Sequence, residues 1–494
     1  MVTQKVLKGS VWLFSIRIIS NFLGIATTIV VARFLAPEDF GIVAIATTIQ
    51  IILMSISELS MSHALIYEKN VTKEHLNTAW TMSLIRGVLI FLILGLCSGV
   101  LEKFYETPGL KLILIALGCG VLLRSVSSPA LVLYQKELNF KQEFLINFFA
   151  KIVSFVFSIW IAYEYQTYWA LVFGMLLSDF VHCSTSYLLA PYLPKLSVSK
   201  FRSMLSFSGW MTLSNVVNTI NWNFDNLFIG KMISEKALGL YKMGNNLALL
   251  PSRELTIPLR QLLFPSFSMI KNDANRVFNA YRRSQSLTSF IVIPSGVGLA
   301  CIAEPLIPMV LGSKWIDAII VVQVLAIVFA VQSLVTLVNP LAMAFGRTKT
   351  LFYRDMLMFG IRLPLVVVAA IYWGLEGIVW ARAISAATSI LICIALIREI
   401  IGYGFSHHIS SNWRIFVSCC VMVLFIFFVS HSVLAKQLLN FQYLYILMLI
   451  VCGGGIYLST VYLLWYVSGK PQSAEQELLA LVKSFYRKLG KKHE

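Results

Sequence analysis

Two stretches of the sequence, SVWLFSIRIISNFLGIATTIVVARFLAPEDFG at 10–41 and SGWMTLSNVVNTINWNFDNLFIGKMISEKALG at 208–239, align without a gap. The aligned positions retain an aromatic residue, a basic residue and a glycine: Trp12 falls on Trp210, Arg33 on Lys231 and Gly41 on Gly239. A second match pairs SSPALVLYQK (127–136) with VNPLAMAFGR (338–347). The two matches predict an internal duplication of a long, apolar unit.

The composition predicts that both copies lie in a membrane. The chain has 494 residues, of which 58% are hydrophobic and 13% are charged, whereas roughly a quarter of an average soluble protein is charged. A helix needs about 20 apolar residues to cross the hydrocarbon, and the sequence offers about fourteen such runs. They lie near 9–34, 40–62, 80–101, 112–133, 144–163, 169–190, 205–230, 243–267, 287–311, 318–345, 355–373, 377–397, 415–434 and 442–467.

The repeat and the spans together predict the architecture. The second copy begins six spans after the first. Because six is an even number, the two copies enter the membrane in the same direction. Such parallel repeats occur in transporters, with the substrate path at their interface. We therefore predict an all-α polytopic protein of two six-helix bundles around a central cavity, followed by two further helices. The predicted domains are 1–200, 201–400, 401–469 and a basic amphipathic cytoplasmic tail at 470–494.

Charge and motifs limit the function. Lys and Arg concentrate in the loops on the side that carries both termini, which predicts that both termini are cytoplasmic. The formal charge of +17 is spread along the chain, so we expect no nucleic-acid partner. The sequence lacks a P-loop and the common hydrolase and metalloprotease motifs, so we expect a transporter, without a cofactor, rather than an enzyme. The eight cysteines fall in apolar runs and are predicted to be buried and reduced.

Polar residues inside the predicted spans indicate the transport path, because charges in hydrocarbon are costly unless they face a cavity or a partner. Arg17 and Asn21 lie on one stripe of the first span. Asn215, Asn218 and Asp225 lie on a corresponding stripe of the seventh. Asp225 could bind H⁺ or Na⁺ and couple transport to an ion gradient. Alternatively, it forms a helix-end hydrogen bond with a neighbouring asparagine, Asn221 or Asn226.

The eighth span combines proline with arginine. Arg253 and Arg260 are seven residues apart and hence on one helix face, where they could bind an anionic substrate. In the alternative interpretation, Arg253 pairs with Glu254 or Glu58. Arg86 in the third span is a further candidate for lining the cavity. Asp179, three residues before His182, is a second candidate for ion coupling. The pair could relay protons, although a packed, hydrogen-bonded histidine is the more ordinary arrangement.

The segment ARFLAPEDFG (32–41) resembles the signature of bacterial polysaccharide flippases. DNLFIGKMISEKALGLYKMGNNLA (225–248) and VLGSKW (310–315) resemble the second-half pattern of the same family. The likeness covers essentially the whole chain and is closest to the branch that handles colanic-acid-type and teichuronic-acid-type repeat units. This branch belongs to the multidrug/oligosaccharidyl-lipid/polysaccharide exporter superfamily.

The resemblance implies a function. The substrate would be a polyprenyl-diphosphate-linked oligosaccharide, moved from the inner to the outer leaflet of the bacterial cytoplasmic membrane for export of exopolysaccharide, O-antigen or capsule. Membrane lipids, a polysaccharide polymerase and the export machinery would be its partners. Two alternatives remain open: an ion-coupled antiporter of organic cations from the same superfamily, and a polysaccharide polymerase. The antiporter would need an acidic pocket, whereas the inward stripes are net basic. The polymerase would need a large outward loop, whereas the predicted outward loops are short. Both observations favour the flippase.

Overall fold

A computed structural model describes residues 2–57, 71–137, 139–200, 209–431, 442–470 and 476. Within these ranges the chain folds into α-helices and short 3₁₀ turns without a β-strand. Nine of the described helices are long and apolar enough to cross a membrane. The prediction of an all-α polytopic membrane protein is confirmed. The predicted tail helix beyond residue 470 lies outside the described residues apart from Gln476.

The chain divides into two compact units, Met1–Lys242 and Met243–Glu494. The helices of the first unit are α1 (Val2–Phe34), α2 (Pro37–Ile56), α3 (Lys73–Tyr105), α4 (Leu110–Ser125), α5 (Leu131–Lys136), α6 (Lys141–Tyr165), α7 (Trp169–Leu189) and α8 (Gly209–Met232). Helix α9 (Glu235–Ile270) begins in the first unit and continues into the second. The domain boundary at residue 200, which the repeat predicts, differs from this spatial division. The predicted domains stay a prediction.

The second unit continues with α10 (Ala274–Val310), α11 (Ile319–Gln332), α12 (Val338–Ala344), α13 (Thr348–Ile401), α14 (Phe405–Ser430) and α15 (Gln442–Val467). Its core contains the aromatic residues Phe267, Tyr281 and Tyr403, all fully buried. A buried amide, Asn412, donates a hydrogen bond to Gln285 Oε1 over 3.2 Å, which ties α14 to α10. Because buried polar groups need partners, such bonds fix how apolar helices pack.

Within the described residues each predicted span overlaps a helix, with three differences in detail. The helix of the fourth span, α4, ends at Ser125, four residues before Pro129, and the short helix α5 follows. The tenth span is divided into α11, a 3₁₀ turn at Ser333–Val335 and α12. Helices α5 and α12 each cover part of a matched segment of the second repeat pair, 127–136 and 338–347. Both copies form a short helix there, although Pro129 precedes α5 and Pro340 lies within α12.

The eleventh and twelfth spans form one helical element, α13, whose backbone turns at Gly374. Gly374 has φ 59° and ψ −139°, a backbone conformation open to glycine alone. This residue separates two arms, 348–373 and 375–401, at the place where the sequence predicts an outward turn.

The prediction for the cysteines is partly wrong. All eight are free, but Cys393 and Cys419 alone are buried. Cys97, Cys420 and Cys452 are exposed on helices of membrane-spanning length. An apolar run does not distinguish a helix face that packs inside the protein from one that faces lipid.

Candidate functional site

Side chains hold the first turns of α2 and α9. The amide of Ala36 donates to Asp39 Oδ2 over 2.9 Å, and the amide of Ala237 donates to Ser234 Oγ over 3.1 Å. Pro37 occupies the first position of α2, where its fixed φ suits a helix and its missing N–H costs nothing. The two helices thus begin at Pro37 and Glu235, positions related by the repeat offset.

The starts of α2 and α9 contact each other through glycine. A Cβ atom at Gly41 would lie 2.0 Å from the carbonyl oxygen of Glu235, and one at Gly239 would lie 1.8 Å from that of Pro37. Both distances are far shorter than any real Cβ contact, so neither site accepts a side chain without movement of the backbone. The offset that aligns Gly41 with Gly239 also aligns Pro37 with Glu235. The two contacts are therefore equivalent, which supports the alignment independently of sequence similarity.

Further along α2 toward its C-terminus, polar side chains pair this helix with α8. Asn226 Nδ2 donates to Thr48 Oγ1 over 3.2 Å, and Ser55 Oγ donates to Thr219 Oγ1 over 3.0 Å. Thr48 is fully buried and Asn226 is almost so. Since a buried polar group without a partner is costly, these bonds fix the register of the two helices.

Asp225 lies in the same region with 1% of its surface exposed. Its Oδ2 accepts a hydrogen bond of 2.8 Å from the hydroxyl of Tyr241 on α9. The sequence predicted Asp225 as a special carboxylate but did not identify Tyr241 as its partner. This hydrogen bond connects α8 to α9, and a role of Asp225 in ion coupling stays a prediction.

The other residues of the predicted stripes differ in exposure. Asn21 on α1 is half-buried, whereas Asn215 and Asn218 on α8 are exposed. The backbone of Arg17 belongs to α1, but its side chain lies outside the described part of the structure. Trp12 packs against Phe144 of α6, with ring centroids 4.9 Å apart.

Arg86 of α3 contacts the end of α2. Its Nε donates to Ser57 Oγ over 3.0 Å, and its Nη2 donates to the carbonyl oxygen of Met54 over 2.8 Å. The last carbonyls of a helix lack intrahelical partners and attract cations. The guanidinium therefore caps α2, a contact that the sequence did not predict.

Asp179 of α7 also has a basic partner. Arg124 Nη1 at the end of α4 lies 3.3 Å from Asp179 Oδ1. One turn further along α7, His182 Nδ1 lies 3.4 Å from Ser127 Oγ. These pairs tie α7 to the α4–α5 connection, so the packed-histidine interpretation accounts for His182, while ion coupling by Asp179 stays a prediction.

In the second unit, the two predicted arginines of α9 differ in their partners. Arg253 Nε lies 3.0 Å from Glu254 Oε1, which is one of the two pairings expected in the alternative interpretation; the other, with Glu58, lies outside the described residues. Arg260 Nε donates to Thr336 Oγ1 over 3.0 Å, and its Nη2 bonds the same hydroxyl. Both arginines are exposed.

Arg354 on the first arm of α13 is a basic residue that sequence reasoning missed. Its Nη1 donates to Asn339 Oδ1 over 2.9 Å, and its Nη2 lies 2.7 Å from Asp355 Oδ1. A signal for this contact was present in the sequence: Asn339, the partner of Arg354, immediately precedes Pro340 in the repeat-matched segment 338–347.

Comparison with known proteins identifies the family. The model of the family described as polysaccharide biosynthesis protein matches residues 30–320, which is more than half of the chain. The chain belongs to this family. The matched region begins within α1 and includes the contact between Gly41 and Gly239. The resemblance predicted from the signature segments is therefore confirmed.

This polysaccharide biosynthesis protein is similar along most of its length to curated proteins. It is 22% identical to the lipopolysaccharide biosynthesis protein WzxC of Escherichia coli (strain K12), with 83% of this chain and 84% of that protein covered. It is 25% identical to the teichuronic acid biosynthesis protein TuaB of Bacillus subtilis (strain 168), with 76% and 78% covered. It is 23% identical to the succinoglycan biosynthesis transport protein ExoT of Rhizobium meliloti (strain 1021), with 74% and 75% covered.

Solved structures share the fold of this polysaccharide biosynthesis protein. The lipid II flippase MurJ in an inward closed conformation is similar with a TM-score of 0.74 at 16% identity, covering 92% of this chain and 99% of that one. A multidrug resistance transporter of the MATE family in an inward-facing conformation is similar with a TM-score of 0.58 at 14% identity, covering 77% and 95%. The chain thus shares the fold of these two proteins.

Proposed function

We propose that the protein flips a polyprenyl-diphosphate-linked oligosaccharide from the inner to the outer leaflet of the bacterial cytoplasmic membrane. The family match over residues 30–320 carries this proposal. The fold shared with a lipid II flippase supports it. The fold alone does not separate a flippase from a drug antiporter, because a multidrug transporter shares it as well. The family and the curated relatives favour polysaccharide export over the antiporter and the polymerase.

The chemistry of such a substrate explains why a membrane protein is required and an enzyme is not. A diphosphate with several sugars cannot cross about 30 Å of hydrocarbon unaided, because its charges and hydroxyls would lose their water partners. The protein supplies hydrogen-bonding partners along a path and breaks no covalent bond. The prenyl tail can stay in the bilayer throughout.

We assign substrate contact to the polar residues of the predicted stripes and to the arginines of α9. These are Arg17, Asn21, Arg86, Asn215, Asn218, Arg253 and Arg260. Among them, Arg260 is the strongest candidate for the diphosphate, because Thr336 holds its guanidinium. Guanidinium forks bind phosphate oxygens in pairs. Arg253 is partly neutralised by Glu254 and Arg86 is engaged at the end of α2, which makes both weaker candidates.

The proposed activity is tested by deleting the gene and complementing it in the native host. We expect loss of the exported polymer together with accumulation of lipid-linked repeat units in the inner leaflet, both restored by the parent gene. Normal polymer output in the deletion strain, when no related flippase is present, would contradict the proposal. The polymerase and the export machinery are the proposed downstream partners, so a polymerase deletion should leave repeat units in the outer leaflet instead.

The arginine assignment is tested in the complemented strain. We expect Arg260→Ala to abolish export at normal protein abundance, and Arg260→Lys to restore part of it, since Lys lacks the bidentate fork. Arg276→Ala is the matched control, because Arg276 is exposed at the start of α10 and lies outside the proposed path. Full export by Arg260→Ala would remove Arg260 from the substrate site while leaving the flippase proposal intact.

We further propose that transport is coupled to H⁺ or Na⁺ through Asp225, with Asp179 as the second candidate. In proteoliposomes, an imposed pH or sodium gradient should change the flipping rate of the parent protein. Asp225→Asn should remove this response. Asp179→Asn removes the same charge at the second candidate and should remove the response only if Asp179 is the coupling site. Equal flipping by the parent with and without a gradient would show that substrate supply alone drives transport.

A further inference from the structure

The two arms of α13 enclose an apolar pocket of about 620 Å³. This volume lies within the range of about 300 to 1,000 Å³ that is typical of small-molecule sites. Pro364 and Leu365 contribute to one wall, and Trp380 and Ile384 contribute to the other. Gly377 brings the arms together near the turn, since a Cβ atom there would lie 2.5 Å from the carbonyl oxygen of Ala369. The pocket therefore belongs to a single rigid hairpin.

The pocket has the depth of one lipid leaflet. The turn at Gly374 lies on the outer side in the predicted topology. From Glu376 to Ile384 the helix rises by about 12 Å, and one leaflet contributes about 15 Å of hydrocarbon. Trp373 and Trp380 are 67% and 55% exposed near the turn, where aromatic side chains mark the interface between membrane and water.

Glu376 gives the outer end of the pocket a negative charge. It is exposed and lines the pocket with Trp373 and Trp380. Within the part of the chain that the structure describes, no salt bridge involves Glu376. A carboxylate at this position attracts an ammonium group that can donate hydrogen bonds and repels a phosphate or diphosphate.

We infer that this pocket binds an outer-leaflet phospholipid with a primary amine headgroup, of which phosphatidylethanolamine is the common example. One acyl chain lies between the arms and ends near Ile384. The ammonium group donates to Glu376, and Trp373 and Trp380 cover the glycerol region. The charge of Glu376 distinguishes this occupant from the prenyl-diphosphate substrate, whose headgroup it would repel. The inference does not depend on the proposed transport activity.

The test is native mass spectrometry of the full-length protein, delipidated and then titrated with phosphatidylethanolamine, phosphatidylcholine or phosphatidylglycerol. We expect one phosphatidylethanolamine to bind in preference to the other two lipids. Glu376→Gln should weaken that binding about tenfold, the usual loss for a hydrogen bond to a charged group. Glu164→Gln is the matched control, since Glu164 is also exposed at the outer end of a spanning helix but lies outside the pocket, and it should bind as the parent does.

A second variant tests the apolar end. Ile384→Trp fills the place of the acyl chain and leaves Glu376 unchanged, so it should also lose the bound phosphatidylethanolamine. Equal binding of the three lipids by the parent, or unchanged binding by Glu376→Gln and Ile384→Trp, would overturn the inference. Displacement of the bound lipid by undecaprenyl phosphate would also overturn it, because the pocket would then hold the tail of the substrate.

Discussion

At the scale of single residues, the paired glycines give the sharpest prediction. Gly41→Ala places a methyl group against the backbone of Glu235, and forcing extra volume into a packed site typically costs about 1 to 3 kcal/mol. We expect a lower melting temperature in detergent for Gly41→Ala and for Gly239→Ala. Gly95→Ala is the control, since nothing lies within 4 Å of that position, and Ala there should be neutral or slightly stabilising. Equal melting of Gly41→Ala and Gly95→Ala would contradict the close contact.

A second residue-scale prediction concerns pH. Lys231 Nζ donates to Glu106 Oε1 over 2.9 Å, and the hydrogen bond and charge of Lys231 lower the pKa of the Glu106 carboxyl from its ordinary 4.5. Because the folded-state pKa is lowered, the pair stabilises the protein above the ordinary value and loses this contribution as pH falls through the folded-state value. We expect the parent to melt slightly above Glu106→Gln at pH 7, with the difference vanishing once the pH falls below the lowered pKa of Glu106. If the melting temperatures of the parent and Glu106→Gln differ by the same amount at every pH, the ion pair is not the cause of the difference.

At the scale of helices, Arg86 tests whether a span residue is structural or functional. Removing its hydrogen bonds to Ser57 and Met54 takes the charged donor away from the end of α2 and leaves only Ser57 Oγ on the carbonyl of Met54. The expected cost is about 1 to 3 kcal/mol. We expect Arg86→Ala to lower the melting temperature more than Arg124→Ala does, because Arg124 forms a half-exposed salt bridge, and such pairs are worth roughly 0 to 1 kcal/mol. Lost flipping at an unchanged melting temperature would instead place Arg86 in the substrate path.

The turn of α13 provides a matched pair of glycines. Gly374 has φ 59° and ψ −139°, whereas Gly402 has φ 73° and ψ 4° at the end of α13. Asparagine tolerates the left-handed helical region but not the conformation of Gly374. We therefore expect Gly402→Asn to express and melt nearly as the parent does, and Gly374→Asn to lose about 1 to 3 kcal/mol. Similar melting of both variants would show that the turn adapts to a side chain.

The sequence predicts spans better than it predicts partners. A helix that crosses hydrocarbon needs an uninterrupted apolar run, so α2, α6 and α14 follow directly from composition. The breaks after Ser125 and within 333–337 arise from local backbone geometry inside apolar sequence and were not predicted. Partners such as Tyr241 for Asp225 and Asn339 for Arg354 depend on which helix faces pack together. Span periodicity does not contain that information.

At the scale of the whole molecule, the predicted orientation has a direct test. Single cysteines introduced into a variant lacking the eight native ones can be labelled with an impermeant thiol reagent in intact cells. We expect labelling at Glu38 and at Glu376, near predicted outward turns, and protection at Arg347 and His407 until the membrane is permeabilised. The reverse pattern would place the termini on the outer side.

The contact between Gly41 and Gly239 has the form of an isologous dimer interface, in which residue i of one subunit meets j of the other and j meets i. Two separate six-helix subunits would pair through this self-complementary patch, and a homodimer would have to keep the sequences of its two halves identical. Fusion into one chain removes that restriction. The position that is Arg17 in one copy is Asn215 in the other, so a fused chain can carry different chemistry at positions that a homodimer would have to keep the same.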